Sequence, residues 1–259
     1  GIVRGLATAD PEAAMDFATR SMRTDASVTE RLWGGFAFDE DVREIASIQV
    51  EHGLLRATQW AAGLPDGPAK AIAFKEVAET LVRGDPLEAA RWIEAHAEED
   101  YAADAVRRVA LELARNDPME AIHWANGLSD QSRNKALHEA VHHWTRSDAV
   151  AASEYLADMP SSSARDVAVG SFARELGSND PQIAAEWAGW IEDDALRLEA
   201  LETVARTWLQ GDPHQARRWL SASGLSIESQ EQVIAEAGLL ISGSGLAVTG
   251  RNHGSDLDR

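Results

Sequence analysis

Apolar residues recur along the chain at two superimposed spacings. Over short stretches they follow the helical period, as in Ala105, Val106, Val109, Ala110 and Leu113, or Ala200, Leu201, Val204, Ala205 and Trp208. Over longer stretches the whole pattern returns about every 32 residues. Its markers are the dipeptides Asp10-Pro11, Asp85-Pro86, Asp117-Pro118, Asp180-Pro181 and Asp212-Pro213, with Asp148-Ala149 in the remaining place. Seven residues after each Asp stands an aromatic: Phe17, Trp92, Trp124, Tyr155, Trp187 and Trp219. Trp60, one period before Trp92, marks a degenerate copy that starts near Gly53. Four residues after the anchor every copy has alanine: Ala14, Ala57, Ala89, Ala121, Ala152, Ala184 and Ala216. A second alanine lies twelve residues before the last five anchors, at Ala73, Ala105, Ala136, Ala168 and Ala200.

Each unit therefore reads as two helices. The first ends at Gly84, Asn116, Asn179 or Gly211, residues that tolerate a left-handed C-terminal conformation. The following Asp is a preferred N-cap, and Pro at the first helical position gives up no needed N–H. Glu88, Glu120 and Gln215, three residues after their caps, complete an approximate capping box. The second helix runs through the fixed alanine and the aromatic and stops near Leu64-Pro65, Leu128-Ser129 or Met159-Pro160. Fixed alanines allow close helix approach, and the aromatic fills the space between one hairpin and the next. The expectation is an all-α fold, a right-handed αα-hairpin solenoid of about seven hairpins over residues 1–240.

The segment Gly84-Asp85-Pro86-Leu87-Glu88-Ala89-Ala90-Arg91-Trp92 resembles the turn and second helix of a tetratricopeptide (TPR) repeat. The period is shorter than the about 34 residues of that family, and its Trp–Leu–Gly–Tyr first-helix signature is absent. The resemblance implies a TPR-like superhelix, with HEAT-like packing as the competing geometry.

Some segments depart from the period. Copies one and two are further apart than the rest, with an irregular insertion at about 21–38 that holds Trp33, Phe36 and Phe38. Insertions in such arrays often map to one rim and hold a partner, and the alternative is a lengthened helix with a packed loop. Ile2 and Leu6 are expected in core slots of a first helix whose start lies upstream of Gly1. A last helix over Ser226–Leu240 is expected to cap the stack, followed by a flexible Gly/Ser-rich tail over 241–259.

Composition narrows the function. The chain has 259 residues, no cysteine, and 43 acidic against 24 basic side chains, for a net charge of −19. Disulfides, Cys-ligated metals and thiol chemistry are excluded, and the acidic balance argues against nucleic acid and favours a basic or neutral partner. No apolar run approaches the roughly 18 residues of a membrane span. The expected compartment is cytoplasmic or periplasmic, any signal or anchor lying upstream.

His138-Glu139-Ala140-Val141-His142 matches the H-E-x-x-H pattern, in which two imidazoles bind Zn²⁺ and Glu activates water; His143 adjoins it. The repeat supplies another reading. Ala140 falls in a core slot, and His138 and His142 fall in slots held elsewhere by Lys75, Arg107 and Glu202, and by Glu79, Arg174 and Arg206, a solvated face. Arg133, Arg165 and Arg197, with Lys70, lie fifteen residues before their anchors. Either they reach neighbouring carboxylates or they form a guanidinium ladder for an acidic ligand. Trp33 and Trp190 lie off the repeated Trp slots and are the expected exposed binders. The leading expectation is a non-enzymatic scaffold that binds a protein or peptide and needs no cofactor. A zinc hydrolase at His138–His142 and a structural module of a larger envelope or regulatory protein are the alternatives.

Overall fold

In the computed structural model the backbone is described for residues 2–23 and 28–245, and side chains for residues 3–17, 38–129 and 131–238. All regular structure among them is helical, in fifteen α-helices and one 3-10 turn over Asp100–Ala102. The first eight are α1 (Ile2–Ala9), α2 (Pro11–Arg23), α3 (Val28–Glu51), α4 (Leu54–Gly63), α5 (Pro68–Gly84), α6 (Pro86–Glu94), α7 (Ala103–Asn116) and α8 (Pro118–Asn126). Then come α9 (Asp130–Ser147), α10 (Ala149–Asp158), α11 (Ser163–Leu176), α12 (Pro181–Ala188), α13 (Asp194–Gly211), α14 (Pro213–Ala222) and α15 (Ile227–Gly245). No described helix is long and apolar enough to cross a membrane.

The joints inside the hairpins are made by one residue. Asp117 donates its N–H to the Leu113 carbonyl at 2.7 Å, which closes α7. Its carboxylate accepts the N–H groups of Met119 and Glu120 at 3.0 and 3.1 Å, which opens α8. The backbone there is extended, at φ −148 and ψ 102, and Asp85 repeats it at φ −146 and ψ 104. Asp10, Asp148, Asp180 and Asp212 also cap the helices that follow them. The left-handed ending expected at Gly84 and Gly211 does not occur: both are the last residues of their helices, and the positive-φ glycines are Gly53, Gly67 and Gly224. An extended Asp that caps both ways removes the need for a left-handed residue. Asp117→Ala is expected to cost about 1 kcal/mol, read as a lower urea midpoint, whereas Asp117→Asn, which keeps the capping oxygen, is expected to keep most of the stability. Gly53, at φ 127, opens α4 with no side-chain cap. That backbone is rare for any residue with a Cβ.

Two compact units divide the chain, residues 1–144 and 145–259, with the division inside α9. Repeats that touch only their neighbours share no single core, so a helix in the series can mark a boundary. In the first unit α1 packs on α2 and α3, α3 on α4 and α5, α5 on α6 and α7, and α7 on α8. In the second, α11 packs on α12 and α13, and α13 on α14 and α15. Within each unit the first helices α1, α3, α5, α11 and α13 thus meet both their own partner and the next first helix.

All seven alanines four residues after the anchors are fully buried. Repeat aromatics turn back onto the first helix of their own hairpin: Trp92 stacks on Phe74 (4.9 Å, 18°), Trp187 meets Phe172 edge-on (4.8 Å), and Trp219 lies 5.7 Å from Trp208. Trp219 also adjoins both apolar clusters of the second unit, one around Val169 and Val204 and one around Leu209 and Val233. Arg–Glu pairs link successive first helices, as in Arg43–Glu76 at 3.4 Å and Arg206–Glu236 at 2.9 Å.

Three sequence expectations shift. In α1 the buried positions are Val3 and Ala7, while Leu6 is half-buried; Ile2 lies outside the described side chains. The face turned to α3 is set by Gln49, whose amide donates to the Ala7 carbonyl at 3.2 Å. Most of the 21–38 insertion is absorbed by the lengthened α3. The last helix reaches Gly245 rather than Leu240, because extending a formed helix costs far less than nucleating one. Residues 246–259 lie outside the described residues.

Candidate functional site

The slot cations Lys70, Arg165 and Arg197 are spent on the links between hairpins. Arg165, 9% exposed, extends Nη1 to the Trp190 carbonyl at 3.4 Å and lies 6.0 Å over the Trp190 ring. Its neighbour Asp166, also buried, accepts the N–H groups of Glu192 and Asp193 at 3.0 and 2.9 Å. From the other side, Arg197 donates to the Ile191 and Glu192 carbonyls and pairs with Asp194. The link before α13 is therefore clamped by both flanking helices. In the first unit Lys70 plays the same part. Its Nζ bonds Asp66 at 3.0 Å and sits 4.2 Å over the Tyr101 ring. Burial opposes the Lys70 charge, but Asp66 and Tyr101 outweigh it and the pKa lies above the usual lysine value. Arg133 is half-buried. Local sequence gives no sign of Asp166, because its two donors are 26 and 27 residues away.

His138 and His142 face each other on α9 with ring centroids 6.2 Å apart, both half-buried, above a fully buried Ala140. Among the described residues no three His, Asp or Glu side chains converge as a metal site would require. Burial, then the Arg115 charge, lowers the pKa of His143, and burial with Lys70 lowers that of His96, whose Nδ1 lies 3.2 Å from the Tyr101 hydroxyl. A lowered folded-state pKa means the unfolded chain takes up the proton first. Stability from these neutral imidazoles is present above about pH 6.5 and lost as the pH falls below it. Urea midpoints are expected to drop between pH 7.5 and 5.5, and His96→Gln to flatten part of that slope. Asp41 and Glu76, whose carboxyls burial raises, act with the opposite sign at lower pH.

The expected surface aromatics fare differently. Phe38 is a core side chain, 7% exposed. Trp190 is 50% exposed and packs its ring 4.7 Å from Trp187. Trp33 and Phe36 lie outside the described side chains.

A set of residues that sequence reasoning missed stands two positions after the anchor. Leu55, Leu87, Met119 and Val150 are 72%, 44%, 53% and 68% exposed. They occupy one slot in four consecutive copies. Glu12, Gln182 and His214 hold that slot in the other three. The signal was present in the repeat alignment, but an apolar residue in the first turn of a helix reads the same whether it is buried or exposed. Two clefts accompany the hairpin ends: one of about 370 Å³ beside Asp66, Glu99 and Tyr101, and one of about 390 Å³ between Asp180, Trp208 and Asp212. No protein-family model matches the chain, and no curated protein or solved structure matches it either.

Proposed function

We propose that the chain is a non-enzymatic protein- or peptide-binding scaffold, an αα-hairpin solenoid of about seven TPR-like hairpins. Packing of successive first helices within each unit, α1 to α7 and α11 to α15, with Arg–Glu pairs between α3 and α5 and between α13 and α15, supports the stacked geometry. The observation that carries the binding role is the exposed apolar slot of the first unit, at Leu55, Leu87 and Met119. Single exposed apolar residues are ordinary on a protein surface. A large one at the same place in three successive copies of the first unit makes an apolar row there, and such rows mark interaction sites. Folding does not require it, since the fixed alanine and the aromatic already fill the hairpin.

Selection of a random peptide library on the immobilised protein tests this reading. Enriched peptides are expected to bind at micromolar Kd, and L87S/M119S to weaken them at least tenfold, about 1.4 kcal/mol, at an unchanged thermal midpoint. Enrichment of nothing, or of peptides indifferent to L87S/M119S, contradicts it.

A further inference from the structure

We infer that the occupant of the apolar row is a basic amphipathic helix of another protein, an inference that rests on the scaffold reading above. Charge points to the sign of the partner. In the first unit Leu87 stands between the exposed carboxylates Asp85 and Glu88, and Met119 between Asp117 and Glu120. The cations on the same helices are Arg56 on α4, a helix with no carboxylate, and Arg91 on α6, so carboxylates predominate beside Leu87 and Met119. An acid-flanked apolar row repels acidic partners and gains from Lys or Arg beside the partner's apolar residues. The net charge of −19 steers the same encounter at long range.

Spacing points to the helix. Successive first helices pack directly on one another in the first unit, α3 on α5 and α5 on α7. Packed helices lie about 8–10 Å apart, so equivalent slots in neighbouring hairpins advance by a step of that order. Two turns of an α-helix advance about 10.5 Å over seven residues. A partner with Leu-type residues at i, i+7 and i+14 therefore sets one against each of Leu55, Leu87 and Met119. Its Lys or Arg residues on the flanks of that stripe reach Glu88 and Glu120.

The probe is a fluorescein-labelled 21-residue synthetic helix with Leu along one face at that register and Lys on its flanks, titrated with the full chain at 150 mM NaCl. Two control peptides carry Glu in place of Lys and Ser in place of Leu. Two protein variants are compared: L55S/L87S/M119S, which leaves the charge unchanged, and E88Q/E120Q, which leaves the apolar row intact. The Leu–Lys peptide is expected to bind the native chain at least tenfold more tightly than either control, and each variant to lose at least tenfold. The thermal midpoints of both variants are read alongside to show that they stay folded. Equal binding of the Glu peptide, or full binding to L55S/L87S/M119S, overturns the inference, since attraction to an acidic surface alone would explain the result. If the library selects peptides that bind through the row but are acidic, the scaffold stands and this inference falls. If it selects none, both fall.

Discussion

Phe74→Ala is expected to lower stability by about 3–5 kcal/mol, the largest loss from any single truncation in the first unit. Phe74 is fully buried. Its ring is the hub of an aromatic cluster: Trp92 stacks on it at 4.9 Å, His96 meets it edge-on at 4.9 Å, and Tyr101 lies at 4.8 Å. These partners come from α6 and from the link leading to α7, so one side chain ties a hairpin to the entry of the next. Truncation leaves a cavity in a close-packed interior and removes ring contacts worth about 0.5–1.5 kcal/mol per pair beyond area burial. Tyr101 also carries the Lys70 ammonium at 4.2 Å, so its displacement weakens that clamp too. Phe74→Leu, which fills more of the cavity but loses the same ring contacts, is expected to cost less than Phe74→Ala. Urea unfolding of the three proteins measures both. Equal losses from Ala and Leu would mean that ring geometry, not volume, dominates.

Ala184→Leu is expected to cost about 1–3 kcal/mol, although leucine is more apolar and nearly as good a helix former. Ala184 is fully buried on α12, against a cluster that includes Val169 and Ala173 of α11 and Ala200 and Val204 of α13. There the small side chain sets the distance between helices, and a larger one must force α12 off its neighbours or twist out of its rotamer. Gln182→Leu, exposed on the same helix, serves as the control and is expected to stay within about 0.5 kcal/mol. A stabilised Ala184→Leu would show an interior with room to spare and would undermine the account of the fixed alanines.

What the sequence made legible follows from the range of the forces involved. The Asp joints, the alanine slots and the aromatic positions depend on contacts within one hairpin, and they return in six copies for Asp and in all seven for the other two, so repetition exposes them. The helix endings at Gly84 and Gly211 misled because glycine suggests a left-handed cap, whereas the following Asp closes one helix and opens the next in extended geometry. From sequence Arg165 is expected to reach a neighbouring carboxylate or to join a guanidinium ladder, and Asp166 beside it carries no expectation. Their burial comes from a link more than twenty residues away, which no periodicity within the helix encodes. Phe38 looked like a rim aromatic because the insertion broke the repeat, but the lengthened α3 carries it into the core. The row from Leu55 to Met119 stayed hidden for the converse reason, since its apolar residues imitate core positions.

Removing one repeat tests the central claim most directly. Deleting residues 117–147 joins Asn116 to Asp148, which preserves the Asn-Asp joint and subtracts one second helix and one first helix. In an array whose members touch only their neighbours, the shortened chain is expected to fold, with helical ellipticity per residue within about 10% of the parent and cooperative urea unfolding. A chain that loses most of its helix signal or aggregates on deletion would contradict the repeat architecture and, with it, the row on which the binding role depends.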